Sequence, residues 1–145
     1  MAGACIVTNA INPDIRVWAA KSESAPAGYL SWREGSVASP MATFAEGVAT
    51  GSGYQLPQEI MRHKLHDFVL VSDDDIRYAM GLLIEKAHTM SEGAGATGTA
   101  AAIKRKNDIL RKKVFLVITG GNVTLDQLRV RFLCTKHDKV HLPLQ

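Results

Sequence analysis

Glu92-Gly93-Ala94-Gly95-Ala96 lies where one helix is predicted to end and the next to begin. A second glycine-bearing stretch, Thr119-Gly120-Gly121-Asn122, follows the apolar run 114–118. Glycines at such positions let the backbone approach a flat or charged group closely. Each stretch also carries one polar side chain, Glu92 or Thr119, at the tip of a buried element. This arrangement is typical of cofactor sites at the carboxyl ends of strands in α/β proteins.

Three apolar segments, at 15–20, 68–71 and 114–118, are predicted as strands. Helical spacing of apolar residues from 76 to 87 predicts a helix that Ser72 caps, with three aspartates at its positive end. Because strands alternate with helices, the sequence predicts an α/β fold with a mainly parallel sheet. Further helices are expected at 58–63, 94–106 and 125–132, a turn at 12–14, and an irregular functional loop at 35–53.

The composition describes one globular domain of 145 residues, with 46% hydrophobic and 21% charged residues. Its apolar runs are too short to span a bilayer, and the uncharged start of the chain predicts no signal peptide. Cys5 and Cys134 lack metal or redox spacing, which favours a reducing cytoplasm. Most of the excess positive charge lies in 104–106 and 111–113. With no aromatic residue before Phe115, these runs indicate a solvated helix end rather than a nucleic-acid surface.

Both glycine-bearing stretches have plainer interpretations. Residues 93–98 match the pattern GxGxxG, but a dinucleotide site needs an apolar strand directly before the first glycine, and His88-Thr89-Met90-Ser91-Glu92 precedes it here. Small residues at 97–102 also suit close helix packing. Residues 119–122 can form a simple turn in which Asn122 caps the next helix. The five histidines show no metal-ligand pairing.

Six blocks of sequence, taken in order, resemble the second half of a pyridoxal-phosphate enzyme of the tryptophan synthase β-like fold (fold type II). The likeness is strongest toward threonine ammonia-lyase and serine racemase-like dehydratases, and it runs from about Ala2 to Leu133. It implies a three-layer sandwich, an incomplete large domain at 1–133 and a polar tail at 134–145. The blocks lie at 10–14, 24–27, 44–49, 68–76, 92–96 and 118–123.

The resemblance implies pyridoxal 5'-phosphate as cofactor and a role for each matching position. Thr119 matches the hydroxyl residue that meets the pyridine nitrogen, Glu92 a glutamate beside the ring, and Gly47 a glycine on the cofactor face. A hydroxyl leaves the ring nitrogen largely unprotonated, which suits β-elimination better than transamination. The implied cofactor-binding residues are Thr119, Gly120, Gly121, Glu92, Gly47 and Asn122.

The chain also departs from the family pattern. The Schiff-base lysine and the glycine-rich phosphate loop of the family belong to its N-terminal half, which would precede Met1, so no catalytic residue is expected here. Glu46 stands where the family usually has Asp. Some relatives ligate a divalent cation with an acidic residue at the position of Lys21, so no metal is expected. No C-terminal regulatory domain is expected either.

The resemblance therefore implies the C-terminal half of a dehydratase that deaminates threonine or serine to a 2-oxo acid. One alternative is a non-catalytic truncated paralogue that binds a homologous subunit or a small ligand. Another is a piece of a longer enzyme. The expected partners are a second copy or a complementing subunit and an amino acid substrate, with no nucleic acid and no membrane. The substrate stays open, because its carboxylate contacts lie largely in the other half.

Overall fold

The computed structural model describes residues 1–133, so the predicted tail at 134–145, with Cys134, lies outside the described residues. The described chain alternates helices with two strands, and a short 3-10 turn (Glu46–Val48) lies within the long loop. The elements are α1 (Ala2–Ile11), β1 (Trp18–Ser22), α2 (Ala27–Glu34), α3 (Gln55–Lys64), β2 (Asp67–Val71), α4 (Asp73–Ala87), α5 (Gly93–Lys104), α6 (Lys106–Ile109) and α7 (Leu125–Leu133).

Strands β1 and β2 pair in parallel, with Trp18 opposite Asp67 and Ser22 opposite Val71. Successive side chains of β2 point to opposite faces. Phe68 joins an apolar cluster with α1 and α3, whereas Val69 joins the cluster formed with α4 and α5. Helices therefore cover both faces of the sheet, and the predicted α/β fold with a parallel sheet is confirmed.

The predicted third strand, 114–118, forms no strand among residues 1–133. Its side chains are exposed, and Phe115 is 89% exposed. The segment instead passes over α5, where a Cβ on Gly98 would lie 3.7 Å from the Val117 carbonyl oxygen. An apolar, β-branched sequence favours an extended backbone, but pairing needs a neighbouring strand. Within residues 1–133 this segment lies over α5 and does not pair with the free edge of β1 or of β2, so it has no partner strand.

The first residues of α4 and α7 test two predictions of helix caps made from the sequence. Ser72 caps α4 as predicted: its hydroxyl accepts a hydrogen bond from the Asp75 N–H, and the Asp75 carboxylate accepts one from the Ser72 N–H. The interpretation of Asn122 as a helix cap is wrong. Thr124 caps α7 in a reciprocal pair with Gln127, because Thr-x-x-Gln satisfies two free N–H groups where Asn122 would satisfy one.

No helix within residues 1–133 is both long and apolar enough to cross a membrane. The same residues contain no group of three or more His, Cys, Asp or Glu side chains able to hold a metal ion. The basic run at 104–106 falls at the end of α5, where Arg105 is the C-cap and contacts Asp67 at 3.0 Å.

Candidate functional site

A cavity of about 370 Å³ lies at the N-terminus of α5, a size typical of small-molecule sites. Three of the six predicted site residues, Glu92, Gly47 and Asn122, line it together. They come from three separate parts of the chain, so the fold brings together what the sequence leaves apart. Within residues 1–133, the cavity is lined by Phe44, Ala45, Glu46, Gly47, Glu92, Gly93, Ala94, Asn122 and Gln127.

The wall of this cavity is close-packed backbone at the start of α5. A Cβ on Gly47 would lie 2.7 Å from the Ala94 Cβ and 3.5 Å from a carboxylate oxygen of Glu92. A Cβ on Gly93 would lie 2.9 Å from the Phe44 ring. Side chains at either glycine would therefore fill the cavity edge or push the loop away from the helix.

The segment 119–121 lies directly against the same helix end. The Glu92 N–H donates to the Gly120 carbonyl at 3.3 Å. Gly120 has φ 76°, a left-handed conformation that favours glycine, and a Cβ there would overlap the Glu92 carboxylate. The two glycine-bearing stretches that the sequence singled out are thus in contact.

The other three predicted site residues, Thr119, Gly120 and Gly121, do not line the cavity. Thr119 is exposed, and its hydroxyl makes no hydrogen bond within residues 1–133, while its backbone carbonyl packs against Gly95. Gly121 is also exposed, and a Cβ there would lie 3.6 Å from the Met90 carbonyl oxygen. Both are chain neighbours of Gly120, whose carbonyl accepts a hydrogen bond from Glu92 of the cavity lining.

We call residues 43–50 the wall segment, because this stretch carries Phe44 to Gly47. Asp73, at the start of α4, holds one end of it. The Asp73 carboxylate accepts hydrogen bonds from the Thr43 hydroxyl at 2.7 Å, the Ser22 hydroxyl at 2.8 Å and the Phe44 N–H at 3.2 Å. Burial opposes ionisation, but these hydrogen bonds and the nearby Arg77 guanidinium outweigh it and lower the pKa of Asp73.

Asp73→Asn is expected to lower the free energy of unfolding at neutral pH by about 1–3 kcal/mol, because an amide nitrogen cannot accept the hydrogen bonds that the carboxylate accepts. A carboxyl with a lowered folded-state pKa stabilises the fold above its unfolded pKa of about 3.9 and loses that contribution below it. Urea unfolding should therefore show the wild type and variant converging in acid. Asp74→Asn is the matched control, since its side chain is 93% exposed. Equal loss in both variants would contradict this role.

Sequence reasoning missed part of the cavity lining and the residues that fasten it. Gln127 lines the cavity, and its side chain accepts a hydrogen bond from the Thr124 N–H. The sequence pattern Thr-x-x-Gln indicates this capping pair. Phe44 and Ala45 lie in a block that carried the family resemblance but received no role. No local pattern marks Asp73 as the anchor of a distant loop, since its partner Thr43 lies 30 residues away.

The residues present fit one part of pyridoxal phosphate better than another. Glycine backbone and the Phe44 ring offer a flat, narrow surface suited to an aromatic ring. Among residues 1–133, no lysine or arginine lines the cavity, and two of its lining side chains, Glu46 and Glu92, are carboxylates. A phosphate is held by cations or by free helix N–H groups. The first turn of α5 offers N–H groups, but the Glu46 and Glu92 carboxylates beside it repel an anion, so this lining suits the ring side of the cofactor better than its phosphate.

A parallel sheet covered on both faces by helices defines an α/β protein, and α/β proteins often bind cofactors in cavities of this kind. Residues 1–120 match the family model described as "Pyridoxal-phosphate dependent enzyme". The chain therefore belongs to the family of pyridoxal-phosphate-dependent enzymes, as its resemblance implied.

Relatives of known name agree with this family. The chain is 35% identical over 132 residues to "L-threonine dehydratase catabolic TdcB" of Escherichia coli (strain K12), covering 88% of this chain and 40% of that protein. It is 35% identical over 136 residues to "Serine racemase" of Dictyostelium discoideum, covering 88% of this chain and 41% of that protein. The chain thus spans about two-fifths of the length of the relatives it matches.

Solved structures share the fold. Serine racemase from Dictyostelium discoideum superposes with a TM-score of 0.77 at 34% identity, over 86% of this chain and 40% of that chain. Threonine deaminase isoform 2 from Solanum lycopersicum superposes with a TM-score of 0.83 at 23% identity, over 93% and 40% of the two chains. The implied fold, an incomplete large domain of the tryptophan synthase β-like type, is confirmed.

Proposed function

We propose that this chain forms the C-terminal side of a pyridoxal-phosphate-dependent dehydratase site. The site would eliminate water from threonine or serine, and hydrolysis of the resulting imine would release ammonia and a 2-oxo acid. The observation that carries the proposal is that Glu92, Gly47 and Asn122 line the same cavity. The names of its relatives, a threonine dehydratase and a serine racemase, support a hydroxy amino acid as substrate.

The chain's own groups have defined tasks in this proposal. Bound pyridoxal phosphate supplies an electron sink for negative charge at the α-carbon of the amino acid. The Thr119 hydroxyl would bond the ring nitrogen, and the Glu92 carboxylate would lie beside the ring. Gly47 would keep the cavity wall narrow and Gly120 would let its segment lie against Glu92, so that water would be excluded from one face of the ring.

The reactive lysine is assigned to the part of the family's chain that precedes the matched region. No lysine among residues 1–133 lines the cavity, and the buried Lys21 already donates to Val48 and Thr50. The chain alone is therefore expected to form no stable covalent link to pyridoxal phosphate. Incubation with the cofactor, borohydride reduction and peptide mapping should reveal no stoichiometrically modified lysine. One such lysine together with dehydratase turnover would overturn this assignment.

Complementation tests the proposed function directly. The chain is co-expressed with the segment of the E. coli threonine dehydratase that precedes its matched region, and the product 2-oxo acid is assayed. We expect the two pieces to copurify and to turn over threonine or serine only together. Copurification with no turnover of either amino acid would favour the alternative, a non-catalytic paralogue that binds a homologous subunit.

Thr119→Ala is expected to lower turnover in that complemented enzyme and to leave the fold intact. Removing one hydrogen bond to a buried ring nitrogen costs about 1–3 kcal/mol, which corresponds to roughly 5- to 150-fold in rate. Thr119→Ser, which keeps the hydroxyl, is the matched control. Circular dichroism checks that all three proteins share one fold, and unchanged turnover in Thr119→Ala would remove Thr119 from the site.

A further inference from the structure

Lys21 is a buried ammonium group in an unusual setting. It is 5% exposed, and its stem runs beside α2, where a Cβ on Gly28 would lie 3.5 Å from the Lys21 Cδ. No carboxylate lies within ion-pair distance of it among residues 1–133, and burial lowers its pKa. Burying a charged group without a counterion is unfavourable in free energy unless hydrogen bonds compensate for it. The hydrogen bonds of the Lys21 ammonium therefore matter for its role.

Both hydrogen bonds of this ammonium reach one end of the wall segment. Nζ donates to the Val48 carbonyl oxygen at 2.5 Å and to the Thr50 hydroxyl at 2.7 Å. Lys21 itself belongs to β1, where it pairs with Leu70 in the parallel ladder. The Lys21 ammonium therefore links strand β1 to the wall segment.

The geometry points to Lys21 as a positioning residue of the cofactor cavity: its ammonium, cradled by a carbonyl and a hydroxyl oxygen, holds Val48 and Thr50 so that Gly47 lies against Glu92 and Ala94. Asp73 fastens the other end of the wall segment. A cation and an anion, both from elements at the carboxyl edge of the sheet, therefore fix the two ends of one cavity wall. The effect of Lys21 on cofactor binding rests on the proposed function, whereas its hydrogen bonds to the wall segment do not.

Hydrogen exchange at individual amides distinguishes a residue that positions the wall segment from one that stabilises the whole fold. Within the wall segment, the Val48 and Ala49 N–H groups donate to the Ala45 and Glu46 carbonyls at 3.0 and 2.9 Å, so these two amides report on its order. Lys21→Met keeps the aliphatic stem and removes the charge. We expect hydrogen exchange at these amides to accelerate by at least about tenfold in the unliganded chain, with exchange in α4 unchanged.

Chemical rescue supplies the second readout. Lys21→Ala removes three methylenes and the ammonium, which together match n-propylammonium. This ion is expected to restore slow exchange in the wall segment, and n-propanol at the same concentration is expected not to. Lys104→Ala is the control, because Lys104 also donates to a carbonyl oxygen, that of Leu70, from an exposed position outside the cavity.

Each possible result either supports or overturns the assignment of Lys21. Unchanged exchange at 48–49, or a uniform rise throughout the chain, overturns the assignment, and so does loss of fold in both variants that propylammonium does not reverse. Because these measurements need no cofactor, they stand even if complementation yields no dehydratase. In a complemented enzyme that does turn over, Lys21→Met is further expected to weaken pyridoxal phosphate binding by about tenfold relative to the Lys104→Ala control.

Discussion

Gly95→Ala is expected to lower the free energy of unfolding by about 1–3 kcal/mol, the usual cost of forcing an extra methyl group into a packed site. Gly95 is buried in the first turn of α5, directly beneath the 119–121 segment. A Cβ there would overlap the Thr119 carbonyl oxygen and the Ser91 hydroxyl. The clash is with backbone, which cannot rotate away, so either α5 or the Thr119 segment must move.

Gly98→Ala provides the matched control within the same helix. A Cβ at Gly98 would lie 3.7 Å from the Val117 carbonyl oxygen, an ordinary van der Waals distance. Alanine in a helix interior is favoured over glycine by about 0.5–1 kcal/mol, so this variant is expected to be neutral or more stable. Urea unfolding followed by tryptophan fluorescence measures both. Equal stability of the two variants would show that the 119–121 segment does not lie where the structure places it.

Local sequence signals predicted most of the regular elements of the fold. The capped helix α4 was found through Ser72 and its apolar spacing, and β2 through its continuous apolar run. The sequence analysis does not predict helices α1, α2 and the four-residue α6. In α2, small and polar residues such as Gly28 and Ser31 give little helical periodicity. The predicted strand at 114–118 failed for a different reason: its composition is right, but a strand also needs a partner.

Of the candidate site, the family resemblance marks Glu92, Gly47 and Asn122, which line the cavity. The sequence also singles out the glycines at 93, 95 and 120, and a Cβ at each of them or at Gly47 would come within 3 Å of a neighbouring atom. Lys21 and Asp73 were beyond reach, because their importance comes from partners 27 to 30 residues away. In sequence, Lys21 is one lysine at a strand end, and only the fold reveals that it is buried and bound to the cavity wall.

The chain is not expected to be a monomer at micromolar concentration. Residues 114–118 present five apolar side chains in succession, with Phe115 89% and Val117 61% exposed. They contain no charge or proline to guard against pairing, although basic residues at 111–113 flank them. The sheet of two strands also leaves an unpaired edge on each strand within residues 1–133. Exposed apolar patches and free strand edges both favour association.

Self-association between two copies would cover both features at once, and a two-fold dimer is the commonest closed arrangement. Burying a phenylalanine side chain contributes about 1.5–3 kcal/mol, so one substitution within the run is expected to shift the equilibrium visibly. Light scattering after size-exclusion chromatography should show dimers or larger species for the wild type and a marked shift toward monomers for Phe115→Lys. Leu56→Lys, which alters a residue 67% exposed on α3, is expected to leave the distribution unchanged. A wild-type chain that runs as a monomer and unfolds in one cooperative step would show that residues 114–118 are tolerated in water, and the proposed association would be wrong.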